Sequence, residues 1–247
     1  MLLGFFGCNT KTMKPKTPNS NTKRVPKDSA DFNDQDIIFL PSGFKTDSIT
    51  HFDSSLNLSI NIVYAYLKDK SQIALQRIIQ GLVNAKMKSF KDELKANFSK
   101  SDPNLSAPND FEAYPDLYYD GNKITSIRYI ISIYYSGAVH PLSEYISVNY
   151  DKLTKRTFSI MDYLDIKTPA DTAVIINKLE DEYSTLSSNS SEKNLWNFYN
   201  INKVDFTILP DSISFNYSGY ALGQGPGLIY VKFGQNELNT MIRSKYR

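Results

Sequence analysis

Between Leu56 and Tyr66 the chain alternates almost strictly: Leu56, Leu58, Ile60, Ile62, Tyr64 and Tyr66 are separated by Asn57, Ser59, Asn61, Val63 and Ala65. A period of two marks a strand with one buried face. Directly afterwards the period changes. Leu75, Ile78, Ile79, Leu82, Met87, Phe90, Leu94 and Phe98 recur at three- and four-residue steps, with Lys86, Lys88, Lys91, Glu93 and Lys95 on the other sides. This is the stripe of an amphipathic helix of about 28 residues, capped by Ser71. A half-buried strand and a long one-sided helix bury their apolar faces together when the helix lies across a sheet, so a helix-on-sheet layer is expected.

The remaining segments extend that plan. Residues 101–120 contain Pro103, Pro108 and Pro115 and read as a long loop, whose Phe111, Tyr114, Tyr118 and Tyr119 either pack down on the domain or face a ligand. Asp120-Gly121 is a turn signal. Ile127, Tyr129, Ile131, Ile133 and Tyr135 alternate, a short loop runs from Gly137 to Pro141, and a second strand continues through Tyr145 to Tyr150. A helix opened by Pro169 and Asp171 carries Val174, Ile175, Leu179 and Tyr183. Residues 187–191 are polar, Leu195 to Tyr199 form a short helix or turn, and Phe206–Tyr217 and Leu228–Phe233 read as the last two strands. Strands mixed with helices, without regular βαβ spacing, predict an α+β fold. The expected form is an antiparallel sheet packed against one long helix, followed by a second strand–helix–strand portion. The domain spans 35–247, in two subregions of about 35–122 and 123–247.

Charge separates the N-terminal segment from this domain. Residues 9–34 hold six Lys/Arg and three Asp/Glu, whereas 35–247 hold 22 basic and 23 acidic residues. A nucleic-acid-binding domain carries its basic footprint on the folded part, so nucleic acid is not an expected partner. Residues 9–34, with Pro15, Pro18 and Pro26 among Lys, Thr, Asn and Ser, bury too little to offset ordering entropy and read as a disordered polar tether. Before it, Met1-Leu2-Leu3-Gly4-Phe5-Phe6-Gly7-Cys8 resembles a truncated lipoprotein signal, with Gly7 before the cleavage point and Cys8 as the lipidated residue. The apolar run is shorter than the roughly 7–15 residues of a complete signal core. The expected location is a bacterial membrane surface facing the periplasm or cell exterior, with attachment through lipid alone. The alternative is an unmodified hydrophobic end.

Two stretches resemble a known family. Tyr134-Tyr135-Ser136-Gly137-Ala138-Val139-His140-Pro141, then Val148-Asn149-Tyr150-Asp151 and Thr157–Leu164, looks like the strand–GGAHP–strand–NxD pattern of the extracytoplasmic RsiV/PdaC-like domains. Leu209–Tyr217, with Gly225-Pro226-Gly227 and Val231, resembles that family's closing pattern. Ala138 and Val139 stand where the family has its second Gly and Ala, and Ser218 follows Tyr217 where an acidic residue is common. The likeness covers residues 50–242. It implies an α+β fold and a binding role at the cell wall, as in lysozyme-sensing anti-sigma factors, peptidoglycan deacetylases and stand-alone lipoproteins.

The residues themselves carry little catalytic chemistry. His140 has no HxxxH, HExxH or Cys/His company, and the other histidine, His51, lies in a different region; a hydrogen-bonding or ligand-contact role suits it better than catalysis. Gly219, Gly223, Gly225 and Gly227 lack the Lys-Ser/Thr of a phosphate loop and lead into a strand. No catalytic residue, metal or cofactor is expected. The expected ligand contacts are Gly137, His140, Tyr217, Tyr220 and Gly225, aided by neighbouring tyrosines, and the ligand is a cell-wall glycan or an envelope protein of lysozyme-like kind. The alternative is a cell-wall polymer-modifying enzyme, a hydrolase or deacetylase without recognised motifs.

Overall fold

The computed structural model of this protein describes residues 45–66, 72–97, 107–186, 201, 204–218 and 228–247. Cys8, the 9–34 segment, Ser71, Phe98, Leu195–Tyr199, Tyr220 and Gly225 lie outside the described residues. The class is α+β. β1 (Lys45–Asp53), β2 (Leu58–Tyr66), β3 (Asn109–Asp120), β4 (Ile124–Tyr134), β5 (Leu142–Asp151) and the short β6 (Arg156–Thr157) form one sheet in that order. All neighbours are antiparallel except β2 and β3, which run parallel. The expectation of a purely antiparallel sheet is corrected at that one pair. The helix α1 (Ile73–Asn97) lies between β2 and β3 in the chain, and a helical crossover returns the backbone in its original direction.

β3 is the main departure from the expected loop at 101–120. Asn109, Phe111 and Ala113 are buried alternately, the signature of a strand. Pro115 does not break it: β2 pairs with β3 only as far as Ala113, and the register with β4 shifts directly after the proline, leaving Asp116 out of the ladder. On α1 the buried residues are Leu75, Ile79, Val83, Phe90 and Leu94, while Leu82 is 41% exposed. Val83, not Leu82, thus continues the stripe. These side chains meet Ile60, Ile62, Phe111, Tyr129 and Ile131 in the first core.

A second, antiparallel sheet contains β7 (Asp205–Ile208), β8 (Ser212–Tyr217) and β9 (Ile229–Gly234). The segment 206–217, expected as one strand, is a hairpin. Leu209-Pro210-Asp211 turns it, with the Leu209 N–H donating to the Ser212 carbonyl at 2.9 Å. α2 (Ile160–Tyr163) opens with a capping box between Ser159 and Asp162, and α3 (Pro169–Leu186) buries Ile175 and Leu179. Both pack with Phe206, Ile213, Phe215, Val231 and Phe233 in the second core, which also takes Leu238 from α4 (Gln235–Leu238) and Ile124 from β4. The six-stranded sheet runs through the β3–β4 turn, so the two expected subregions share it. Among the described residues no helix is long and apolar enough to cross a membrane.

Candidate ligand-binding face

Register decides what the six-stranded sheet shows on the face away from α1. Ile127, Tyr129 and Ile131 of β4 point into the first core, so Ser126, Arg128, Ile130, Ser132 and Tyr134 point the other way. Their β5 partners on that face are Asn149, Ser147, Tyr145 and Ser143, and their β3 partners include Tyr114, Glu112 and Asp110. This face has two halves. The second sheet covers Ser126, Arg128, Ser147 and Asn149 through a polar seam, while Tyr114, Glu112 and Asp110 continue beyond it, with Tyr114 exposed.

Arg128 anchors the border between the halves. It is 3% exposed, and its Nε and Nη2 bond the two Asp116 oxygens at 2.7–3.1 Å. Its Nη1 donates to Asn216 Oδ1 at 2.8 Å, and its guanidinium lies 4.4 Å from the Tyr145 ring centre and 5.3 Å from that of Tyr230. A buried guanidinium needs such a fork and such faces, because leaving its donors unmatched is costly. Asn216 is saturated. Its Oδ1 also accepts from Ser214 Oγ at 2.8 Å, and its Nδ2 donates to Thr207 Oγ1 at 2.8 Å and Ser147 Oγ at 3.0 Å. Asp205 closes the network, accepting from the Ser147 amide at 3.1 Å and hydroxyl at 2.8 Å.

Burial sets the protonation of these acids. It pushes the Asp205 carboxyl up to about 6, against the pull of its Ser147 hydrogen bonds. Burial also raises Asp116, with the Arg128 hydrogen bonds and charge opposing it. On the half beyond the second sheet, burial raises Asp110 and Glu112, and the Asp110 charge pushes Glu112 further. Glu112, next to Tyr114, and Asp110, further along the same row, are thus acceptors for hydroxyl or amine groups whose charge burial disfavours.

Comparison with known proteins bears on the fold. No family model and no curated protein matches the sequence. Solved structures do match. A DUF3298 family member from Bacteroides fragilis NCTC 9343 superposes with a TM-score of 0.52 at 18% identity, covering 82% of this chain and 94% of that one. A DUF3298 family protein from Pseudomonas aeruginosa PAO1 gives 0.51 at 11% identity, covering 81% and 95%. The chain shares the fold of these DUF3298 proteins.

Within this DUF3298-like fold the expected contacts separate. Gly137 and His140 occupy the loop joining β4 to β5, at the end of the same strands that form the open face, and both are exposed. Gly137 adopts φ 87°, a left-handed conformation open to glycine. The loop is pinned: the Ser136 N–H donates to the buried Asn109 Oδ1 at 2.9 Å, and Asn109 Nδ2 donates to the Leu56 carbonyl at 2.9 Å. Tyr217 is elsewhere, 4% exposed in the second core at the end of β8, which takes its ring off the surface. Asn149 and Asp151 of the family-like motif are structural: Asn149 Nδ2 donates to the Phe206 carbonyl at 2.8 Å, and Asp151 Oδ1 accepts from the Leu153 and Thr154 amides.

Tyr114 was among the aromatics expected to pack down or face a ligand, whereas Arg128, Asp116, Glu112, Asp205, Asn216, Tyr145 and Tyr230 were not singled out by the sequence. One signal was present, since Arg128 is the only charged residue in Ile124–Tyr134. A lone Arg amid Ser126 and Ser132 on an otherwise apolar strand marks a buried polar seam. A separate depression of about 560 Å³ at the start of α3, lined by Ile166, Lys167, Pro169 and Ile176 among others, brings one titratable side chain, Lys167, to its wall.

Proposed function

We propose that this chain is a cell-envelope binding module of the RsiV/PdaC-like kind, held through acylated Cys8 and its polar tether, and that it binds cell-wall glycan without turning it over. The observation that carries the reading is the half of the sheet face that lies beyond the second sheet among the described residues, where exposed Tyr114 lies next to Glu112 in the row that Asp110 continues, and borders the Arg128–Tyr145–Tyr230 cluster. Aromatic rings cover the apolar faces of sugars, and flanking carboxyls accept their hydroxyls. The Gly137–His140 loop closes one end of this face, so it adds contacts along the same strands.

Binding of peptidoglycan fragments, measured by calorimetry, tests the reading. Tyr114→Ala is expected to weaken retention at least tenfold, as removal of an aromatic anchor does, with the melting curve unchanged. Affinity untouched by Tyr114→Ala and Glu112→Gln overturns it. The rival, a polymer-modifying enzyme, is favoured by the raised Glu112 carboxyl. Release of sugar products that Glu112→Gln abolishes would establish the rival. Mass spectrometry of native protein tests the anchor, and an unacylated Cys8 removes it.

A further inference from the structure

We propose that β1 is a self-pairing edge that joins a second copy of this chain into a two-fold antiparallel dimer, with the six-stranded sheets continuous across the axis. β1 lies at the edge of the sheet and, among the described strands, pairs with β2 alone. It is nine residues long, holds no proline, and keeps an unbroken register with β2 from Lys45↔Tyr66 to Asp53↔Leu58. Residues 46–52 are all exposed, including Ile49 at 48% and Phe52 at 54%. Exposed edges are ordinarily kept apart by short length, proline, bulges or charged side chains. From Thr46 to Phe52 there is no proline, bulge or lysine, and the one carboxylate, Asp47, is a charge that a partner strand has to match.

The side-chain pattern selects the occupant. Backbone N–H and C=O groups point outward at every second residue of an edge strand, so two identical edges pair symmetrically only about a residue. Centring on Ile49, the middle of the strand, gives the longest overlap. Ile49 then faces Ile49 of the second copy, and Asp47 faces His51 on both sides of the axis. On the opposite face Ser48 meets Thr50 and Thr46 meets Phe52. A carboxylate–imidazole pair, an apolar pair and β-favouring Thr thus fall against one another. Centring one residue later, on Thr50, sets Asp47 against Asp53. The strand is complementary to itself in one register, which a second copy satisfies better than an unrelated strand.

Sedimentation equilibrium of the full chain over a concentration series tests this. The expected result is a mass that rises with concentration toward twice that of one chain. Ile49→Lys places two like charges on the axis and should leave a monomer with an unchanged circular dichroism spectrum, because Ile49 is half exposed. Asp47→Lys should weaken the dimer roughly tenfold by setting cations opposite His51, and the swapped pair Asp47→Lys with His51→Asp should restore it. A monomer at every concentration up to about 1 mM overturns the proposal. So does a dimer that survives Ile49→Lys, or a swap that fails to restore what Asp47→Lys lost.

Discussion

Asp205 shows how a single carboxyl ties the seam to solution conditions. Its pKa rises from 3.8 to about 6 because burial outweighs the two Ser147 hydrogen bonds. A carboxyl raised in the folded state favours folding while it is protonated. That contribution is fully present below the unfolded value and is lost as pH climbs from about 4 through about 6. The difference corresponds to up to about 3 kcal/mol. Asp205→Asn keeps an oxygen for the Ser147 amide and has no charge to bury, so its stability lacks this part of the fall across the window. Urea unfolding at pH 4, 5, 6 and 7.5 reads this out: the variant's advantage over the parent grows with pH. Parallel profiles for the two proteins would rule the argument out.

At the scale of elements, the loop between β4 and β5 holds its shape through two residues. Asn109 ties Ser136 to the turn before β2, and Gly137 takes φ 87°. Gly137→Ala forces a side chain into the left-handed region at a cost of roughly 1–2 kcal/mol. The loop should loosen around His140 while the sheet stays intact, seen as faster amide exchange confined to 136–140; unchanged exchange there would contradict it. Elements like these were partly legible beforehand. β2, α1, the β3–β4 turn, the β4–β5 pair and α3 announce themselves because one face of each meets an apolar core, which stamps a period on the residues. β3 did not, since Pro115 and the surrounding tyrosines read as a loop until a bulge accounts for the proline. The β7–β8 hairpin hid behind an apolar run that Pro210-Asp211 divides. The candidate face was least legible, for its residues come from β3, β4, β5, β8 and β9, and only pairing register brings them together. Arg128 alone was visible, as a charge where the alternation called for something neutral.

Across the whole molecule the two cores are joined unequally. β4 and β5 commit Ile127, Tyr129, Ile131 and Val148 to the core under α1, but toward the second sheet they offer mainly Ser126, Arg128, Ser147 and Asn149. From β3 and β4 the second core takes buried Ile124 and half-buried Tyr119. Parting the α1 face exposes hydrocarbon, which water cannot compensate. Parting the seam hydrates groups that were hydrogen-bonded, and each bond is worth only about 1 kcal/mol net, or roughly 2 kcal/mol where Arg128 or a charged Asp205 takes part. The seam is therefore the weaker join, and the amides of β7–β9 should exchange through an opening smaller than global unfolding, while those of β3 and β4 await the global event. Asn216→Ala removes two hydrogen bonds across the seam, to Arg128 and Ser147, and two within the second sheet, to Ser214 and Thr207. It should accelerate exchange in β7–β9 selectively, leaving β3 and β4 protected in proportion to a smaller global loss. Native-state hydrogen exchange followed by mass spectrometry resolves the two sheets. Protection that falls equally in both would mean the seam is as strong as the cores it separates, and that the apolar contacts of Ile124 and Tyr119 outweigh the polar layer.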